Sequence, residues 1–255
     1  MRSLTFLFAI SALFARSSTA FPLFQGNNID KNLENIFQQN LDWKQRMEAD
    51  DPDYFRNLGS GHAPTYMWIG CSDARVPANE VMGEDAGSVF VLRSVANMVV
   101  NTDFNLMSAL QFAVDYLKIP HIIVCGHYDC GGVRASTLTK DHTPPLENWL
   151  RNIRDVYRLH KDELDGISDP EARHRRLVEL NVIEQCLNLF KTGVVQRRRV
   201  QTFKEGNEYT TPRIHACVFD PKTGDLTKLP VRDCVECPSV VFPLLTNPDS
   251  LTLVA

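Results

Sequence analysis

The sequence predicts an α/β fold, a mainly parallel β-sheet flanked by helices. Three apolar runs, Tyr66–Gly70, Ser88–Leu92 and His121–Cys125, are strand-length and rich in β-branched or aromatic residues, and none alternates cleanly with polar ones. Strands of that kind suit a sheet covered on both faces. Segments with helical spacing lie between and after them, and this alternation builds parallel sheets. The chain has 255 residues, 44% hydrophobic and 23% charged, enough for one soluble domain with a sizeable core.

In chain order, the basic start Met1-Arg2 precedes the nearly all-apolar Leu4–Ala15 and then small residues up to Ala20. That run is too short to cross a bilayer comfortably, so residues 1–20 read as a signal or targeting peptide outside the fold, with no membrane span in the mature chain. Entry into the secretory pathway is expected. "STAFP" at Ser18–Pro22 resembles the junction of bipartite plastid presequences, which ranks plastid delivery before secretion and mitochondria last. Ile29, Leu33, Ile36, Phe37, Leu41 and Met47 recur at helical spacing and predict a helix over Asn28–Met47. The Asp-, Gly- and Pro-rich Pro52–Pro64 reads as a loop.

A helix is expected over Asp103–Leu117, with Asn101-Thr102 supplying its capping oxygen. Further helices are expected over Leu146–His160 and Pro170–Leu189, the latter ended by Thr192-Gly193. Strands are expected at Val200–Phe203 and Arg213–Phe219, with a turn at Asp220–Asp225. Residues 28–229 form one domain, and 230–255 form a C-terminal tail with no assigned element.

The formal net charge of -4 gives no electrostatic case for nucleic acid. The cluster Arg197-Arg198-Arg199 reads as a solvated helix end or strand start. Seven cysteines are an odd number and do not form the framework of a small disulfide scaffold. Cys125, Cys186 and Cys217 sit in apolar contexts and read as inert core thiols, which leaves Cys71, Cys130 and the pair Cys234/Cys237.

In open parallel sheets functional groups collect just beyond the carboxyl ends of strands. Cys71 in "GCSDARVP" holds that position for the first strand, and His127 and Cys130 in "GHYDCGG" hold it for the third. Two Cys and one His suit zinc and leave a fourth tetrahedral position open, the mark of a catalytic site. The alternative is a pair of core thiols beside a loop histidine. Asp73 and Arg75 favour the metal, because a carboxylate and a guanidinium two residues apart can form a bidentate bridge that keeps the acid ionised.

Together, Cys-x-Asp-x-Arg at Cys71–Arg75 and His-x-x-Cys-Gly-Gly at His127–Gly132 resemble the β-class carbonic anhydrases. "VFVLRSVANMV" (Val89–Val99), "ALQFAVDYLKIPHIIVCGH" (Ala109–His127) and "ELNVIEQ" (Glu179–Gln185) are similar to that family as well. The resemblance runs from about Asn28 to Leu229 and implies that Cys71, His127 and Cys130 ligate a zinc ion in each subunit. The implied reaction is reversible hydration of carbon dioxide to bicarbonate and a proton, by attack of zinc-bound hydroxide. Asp73 would accept the hydroxide's hydrogen bond with Arg75 holding it, and the two thiolates should leave a more basic water, so that activity rises with pH.

By the same resemblance, Phe90, Val95 and Phe112 line the carbon dioxide pocket and Gly131 is a further substrate contact. His62 stands where the family usually has a substrate-binding glutamine. Trp68 and Arg93 match donors to a regulatory bicarbonate, whose third partner, a tyrosine, is Phe219 here. The N-terminal helix is expected to embrace a second subunit in a homodimer or a multiple of dimers. Two other readings use the same residues differently. One is a zinc hydrolase for carbonyl sulfide or carbon disulfide. The other is a non-catalytic zinc protein, or a thiol-redox protein built on Cys234-Val-Glu-Cys237, though Pro238 and Val240-Val241-Phe242 suit a redox helix poorly.

Overall fold

The computed structural model describes residues 29–231, which fall into two units, 29–59 and 60–231. The leader, most of the tail and the pair Cys234/Cys237 lie outside the described residues. In the first unit α1 spans Ile29–Asp50 and α2 spans Tyr54–Leu58. The expected loop over 52–64 thus contains a short helix. Trp43 of α1 meets Tyr54 and Phe55 edge-on at centroid distances of 6.5 and 5.4 Å, aromatic packing that gives this turn a partner. Leu33, Ile36, Phe37 and Leu41 of α1 are each more than half exposed.

The second unit is built on a five-stranded sheet of β1 (Tyr66–Cys71), β2 (Val89–Ser94), β3 (His121–His127), β4 (Arg213–Phe219) and β5 (Leu226–Lys228), ordered β2-β1-β3-β4-β5. The first four strands are parallel and β5 is antiparallel to β4. Between β1 and β2 lies α3 (Ala78–Met82), and α4 (Phe104–Gln111) leads to β3. Five helices follow β3: α5 (Gly131–Ser136), α6 (Leu146–Leu159), α7 (Lys161–Asp165), α8 (Pro170–Phe190) and α9 (Gly193–Lys204).

The absence of polar alternation in the strands has a direct cause. Met67 and Ile69 of β1 join a core with Leu110, Leu150 and Leu177, while Trp68 between them joins a second core with Val76 and Ala78. Both faces of β1 are therefore dry. Cys125, Cys186 and Cys217 are buried and form no disulfide among the described residues, as expected of core thiols, and burial pushes the Cys217 thiol up to about 11. Among the described residues no helix is long and apolar enough to cross a membrane.

Three local expectations are corrected. Val200–Phe203 is the last turn of α9 and not a strand. Thr192 caps that helix by accepting from Val195 N–H, and a short apolar run alone cannot distinguish helix from strand. Arg199 is buried, not solvated; its Nη1 donates to the Pro212 carbonyl at 2.9 Å and so satisfies the loop entering β4. The cap of α4 is Asp103, which accepts from Asn105 and Leu106 N–H, and not Asn101-Thr102. Beyond α4 the chain makes one wider turn over Phe112–Tyr116, closed by Leu117 N–H to the Phe112 carbonyl at 3.0 Å.

Candidate metal centre

β1 and β3 are neighbours, so their last residues, Cys71 and His127, emerge side by side. Asp129 adopts φ +56° and turns the chain back, which brings Cys130 to the start of α5 beside them. The Sγ atoms of Cys71 and Cys130 are 3.9 Å apart, and they and a His127 ring nitrogen lie within 4.8 Å of one another. Two thiolates about 2.3 Å from a tetrahedral zinc stand about 3.8 Å apart, so the spacing fits. His127 is fully buried. Its Nδ1 lies 3.0 Å from the Tyr128 carbonyl, which can only accept, so Nδ1 carries the proton. Nε2 is left unprotonated, buried and without a hydrogen-bond partner, the arrangement of a metal-ligating imidazole.

The thiols also fit a cation. The hydrogen bond from Cys130 lowers the Cys71 thiol to about 4, whereas Cys130 beside that thiolate is pushed up. The second proton leaves readily only if a positive charge compensates the pair. Ala96 N–H donates to Cys71 Sγ at 3.4 Å from a left-handed turn in which Ala96 and Asn97 have φ of 59° and 49°. Two buried side chains of α8 hold this turn. Asn181 donates to the Ala96 carbonyl at 3.0 Å, and Gln185 accepts from Val99 N–H at 2.8 Å.

Asp73 lies beside the cluster, its Oδ2 3.7 Å from His127 Nε2. Arg75 grips it in a fork, donating from Nε to Oδ1 at 2.9 Å and from Nη2 to Oδ2 at 2.7 Å. These bonds hold the Asp73 carboxyl down at about 2 and raise the guanidinium, so both are ionised at neutral pH. Asp73 therefore faces the cluster as an acceptor only. Arg93 fixes the backbone underneath, donating from Nε to the Cys71 carbonyl at 2.8 Å and from Nη2 to the Asp73 carbonyl.

The other predicted site residues are more dispersed. Phe90 and Phe112 have ring centroids 6.0 Å apart, while Val95 and Phe112 are 38% and 45% exposed, so the described residues do not close an apolar pocket around them. Gly131 opens α5 with nothing within 4 Å of where a Cβ would stand. His62 is exposed. Trp68 is buried with Nε1 unpartnered, and it shares the second core with Phe219. Sequence reasoning missed Asp129, whose carboxylate lies 3.7 Å from Arg75 and 3.0 Å from Arg134. It also missed the bond from the Tyr128 hydroxyl to Glu179 at 2.8 Å, which braces the residue beside His127. Both acids lie inside motifs quoted for the resemblance, but nothing local marks them.

A parallel sheet that presents two thiols, one imidazole and a clamped carboxylate at adjacent strand ends defines a class, metalloenzymes whose metal keeps an open position. The family model described as carbonic anhydrase matches residues 66–226. A carbonic anhydrase of Emericella nidulans is 49% identical over 201 residues, covering 79% of this chain and 85% of that protein. One from Candida albicans is 40% identical, over 68% of this chain and 59% of that protein. Among solved structures, a tetrameric β-carbonic anhydrase of Sordaria macrospora matches with TM-score 0.71 and 32% identity, over 78% of this chain and 97% of that one. The Coccomyxa β-carbonic anhydrase, solved with acetazolamide, matches with TM-score 0.70 and 34% identity, over 77% and 86%. The chain belongs to the β-class carbonic anhydrases and is a carbonic anhydrase enzyme.

Proposed function

We propose that the chain catalyses reversible hydration of carbon dioxide to bicarbonate at a zinc ion held by Cys71, His127 and Cys130. The observation that carries the reading is a cluster of three ligands with the Arg75-clamped Asp73 beside it. Zinc bound there would supply the Lewis acidity that makes water a nucleophile at neutral pH.

Asp73, ionised and unable to donate, accepts a hydrogen bond from the attacking oxygen and turns that oxygen's lone pair towards the substrate carbon. Arg75 fixes the carboxylate in that pose through two bonds and keeps it from swinging onto the metal. Phe90, Val95 and Phe112 offer an apolar wall for a linear, uncharged substrate, with Gly131 leaving open space and the exposed His62 assigned to substrate binding by the resemblance alone. A second copy of this chain would close the wall. The exposed stripe of α1 and the half-exposed Val95 and Phe112 support a homodimer or a multiple of dimers. A bicarbonate at Trp68 and Arg93 would compete with the Cys71 and Asp73 carbonyls for the guanidinium, which would couple regulation to the loop that carries Asp73.

The test is stopped-flow carbon dioxide hydration with zinc quantified, in wild type and Asp73→Asn. The amide replaces an acceptor-only group with one that also donates, and a misoriented nucleophile costs about 100-fold in rate. A fall of that order with zinc retained is the expected result. An Asp73→Asn enzyme of wild-type rate refutes the role given to Asp73.

A further inference from the structure

A cavity of about 710 Å3 lies between α5, α6 and α8, outside the metal centre. Four arginines, Lys161 and His174 line it together with apolar groups that include Leu138, Leu177 and Tyr157, and no carboxylate does. His174 is only 7% exposed and its Nε2 has no hydrogen-bond partner. A buried polar group of that kind calls for a ligand or water to satisfy it. Arg173 donates to the Ile167 carbonyl and forms no ion pair among the described residues. The remaining cations pair with acids outside the lining: Arg158 with Asp155 at 3.2 Å, Lys161 with Asp165, Arg154 with Glu147, and Arg134 with Glu171 at 3.2 Å and with Asp129. The Arg158 and Lys161 pairs are solvent-exposed and weak, so an anion in the cavity can displace them, whereas the part-buried Arg154–Glu147 fork stays in place.

We propose that this cavity binds an organic phosphate, with the phosphate taken by Arg158, Lys161 and Arg173 and a flat apolar body lying against Leu138, Leu177 and Tyr157. Guanidinium forks match phosphate oxygens two at a time. The volume falls in the range of about 300–1,000 Å3 typical of small-molecule sites and far exceeds what bicarbonate fills. The site also reaches the metal centre. Arg134 lines the cavity and pairs with Asp129 at 3.0 Å, and Asp129 lies 3.7 Å from Arg75. A phosphate that engages Arg134 frees Asp129 to draw Arg75 away from Asp73. Occupancy should therefore slow carbon dioxide hydration, a consequence that rests on the proposed function, whereas binding itself does not.

The experiment titrates adenosine monophosphate, adenosine and inorganic phosphate by calorimetry into the zinc-loaded full chain and into its Arg158→Glu/Lys161→Glu double variant. Both substituted side chains are solvent-exposed, so the variant should fold with wild-type circular dichroism and basal hydration. The nucleotide is expected to bind wild type at least about tenfold more tightly than phosphate or adenosine, and the double variant about tenfold more weakly. No heat with millimolar nucleotide, equal affinity in the variant, or phosphate binding as tightly as the nucleotide each overturns the proposal. Nucleotide binding without slower hydration overturns the link through Arg134. Absence of hydration in the nucleotide-free wild type counts instead against the proposed function.

Discussion

Asn181→Ala should destabilise the metal centre from a distance. Asn181 is fully buried on α8, donates to the Ala96 carbonyl at 3.0 Å and accepts from Gln185 at 3.1 Å. Alanine leaves the Ala96 carbonyl and the Gln185 amide without those partners, at about 1–3 kcal/mol for each unsatisfied group. The turn it holds is already unfavourable, because Ala96 and Asn97 sit in the left-handed region without being glycine. Allowing partial relaxation, the loss is about 3 kcal/mol, and for a domain of this size each kcal/mol lowers Tm by about 2–4 °C. A drop of about 6–12 °C in a zinc-saturated thermal melt is therefore expected. Because Ala96 N–H donates to Cys71 Sγ, zinc affinity in a competition assay should also fall, by about tenfold. A Tm within about 2 °C of wild type with unchanged zinc affinity refutes the claim that this polar ladder supports the centre.

Two further outcomes follow from the same geometry. Gly70→Ala places a Cβ 2.1 Å from Nε1 of the fully buried Trp68, which has no room to move, so urea unfolding should show a loss of at least about 1–3 kcal/mol. Gly131→Ala, with nothing within 4 Å, should match wild type in that measurement. The carboxyl of Asp73 is held at about 2, below its ordinary 3.8, so the stability it contributes is fully present above pH 3.8 and is lost as pH falls through 2. The difference in unfolding free energy between wild type and Asp73→Asn should be flat from neutral pH down to that window and then shrink, and a carboxyl carbon that titrates above pH 5 by NMR contradicts the Arg75 clamp.

β1 and β3 were legible because each is a short apolar run buried along nearly its whole length, a pattern that local composition carries, and the half-buried β2 shares that composition. The clustering of Cys71, His127 and Cys130 was legible too, since they stand at strand ends in two motifs of unusual composition. Where periodicity is short the reading failed: Val200–Phe203 became helix through the Thr192 cap and the packing of α9, and Arg199 was drawn inside by the carbonyls before β4. Sequence alone thus determined the donor set and the sheet that presents it. Tertiary structure decided what holds them in place. Strand order set β1 beside β3, the Tyr128 carbonyl chose the His127 tautomer, and Asn181 and Gln185 reached from α8, more than eighty residues on, to the turn beneath Cys71. The division has one physical reason. Ligand chemistry belongs to a residue and its neighbours in the chain, whereas orientation depends on hydrogen bonds between segments that meet only after the sheet has formed.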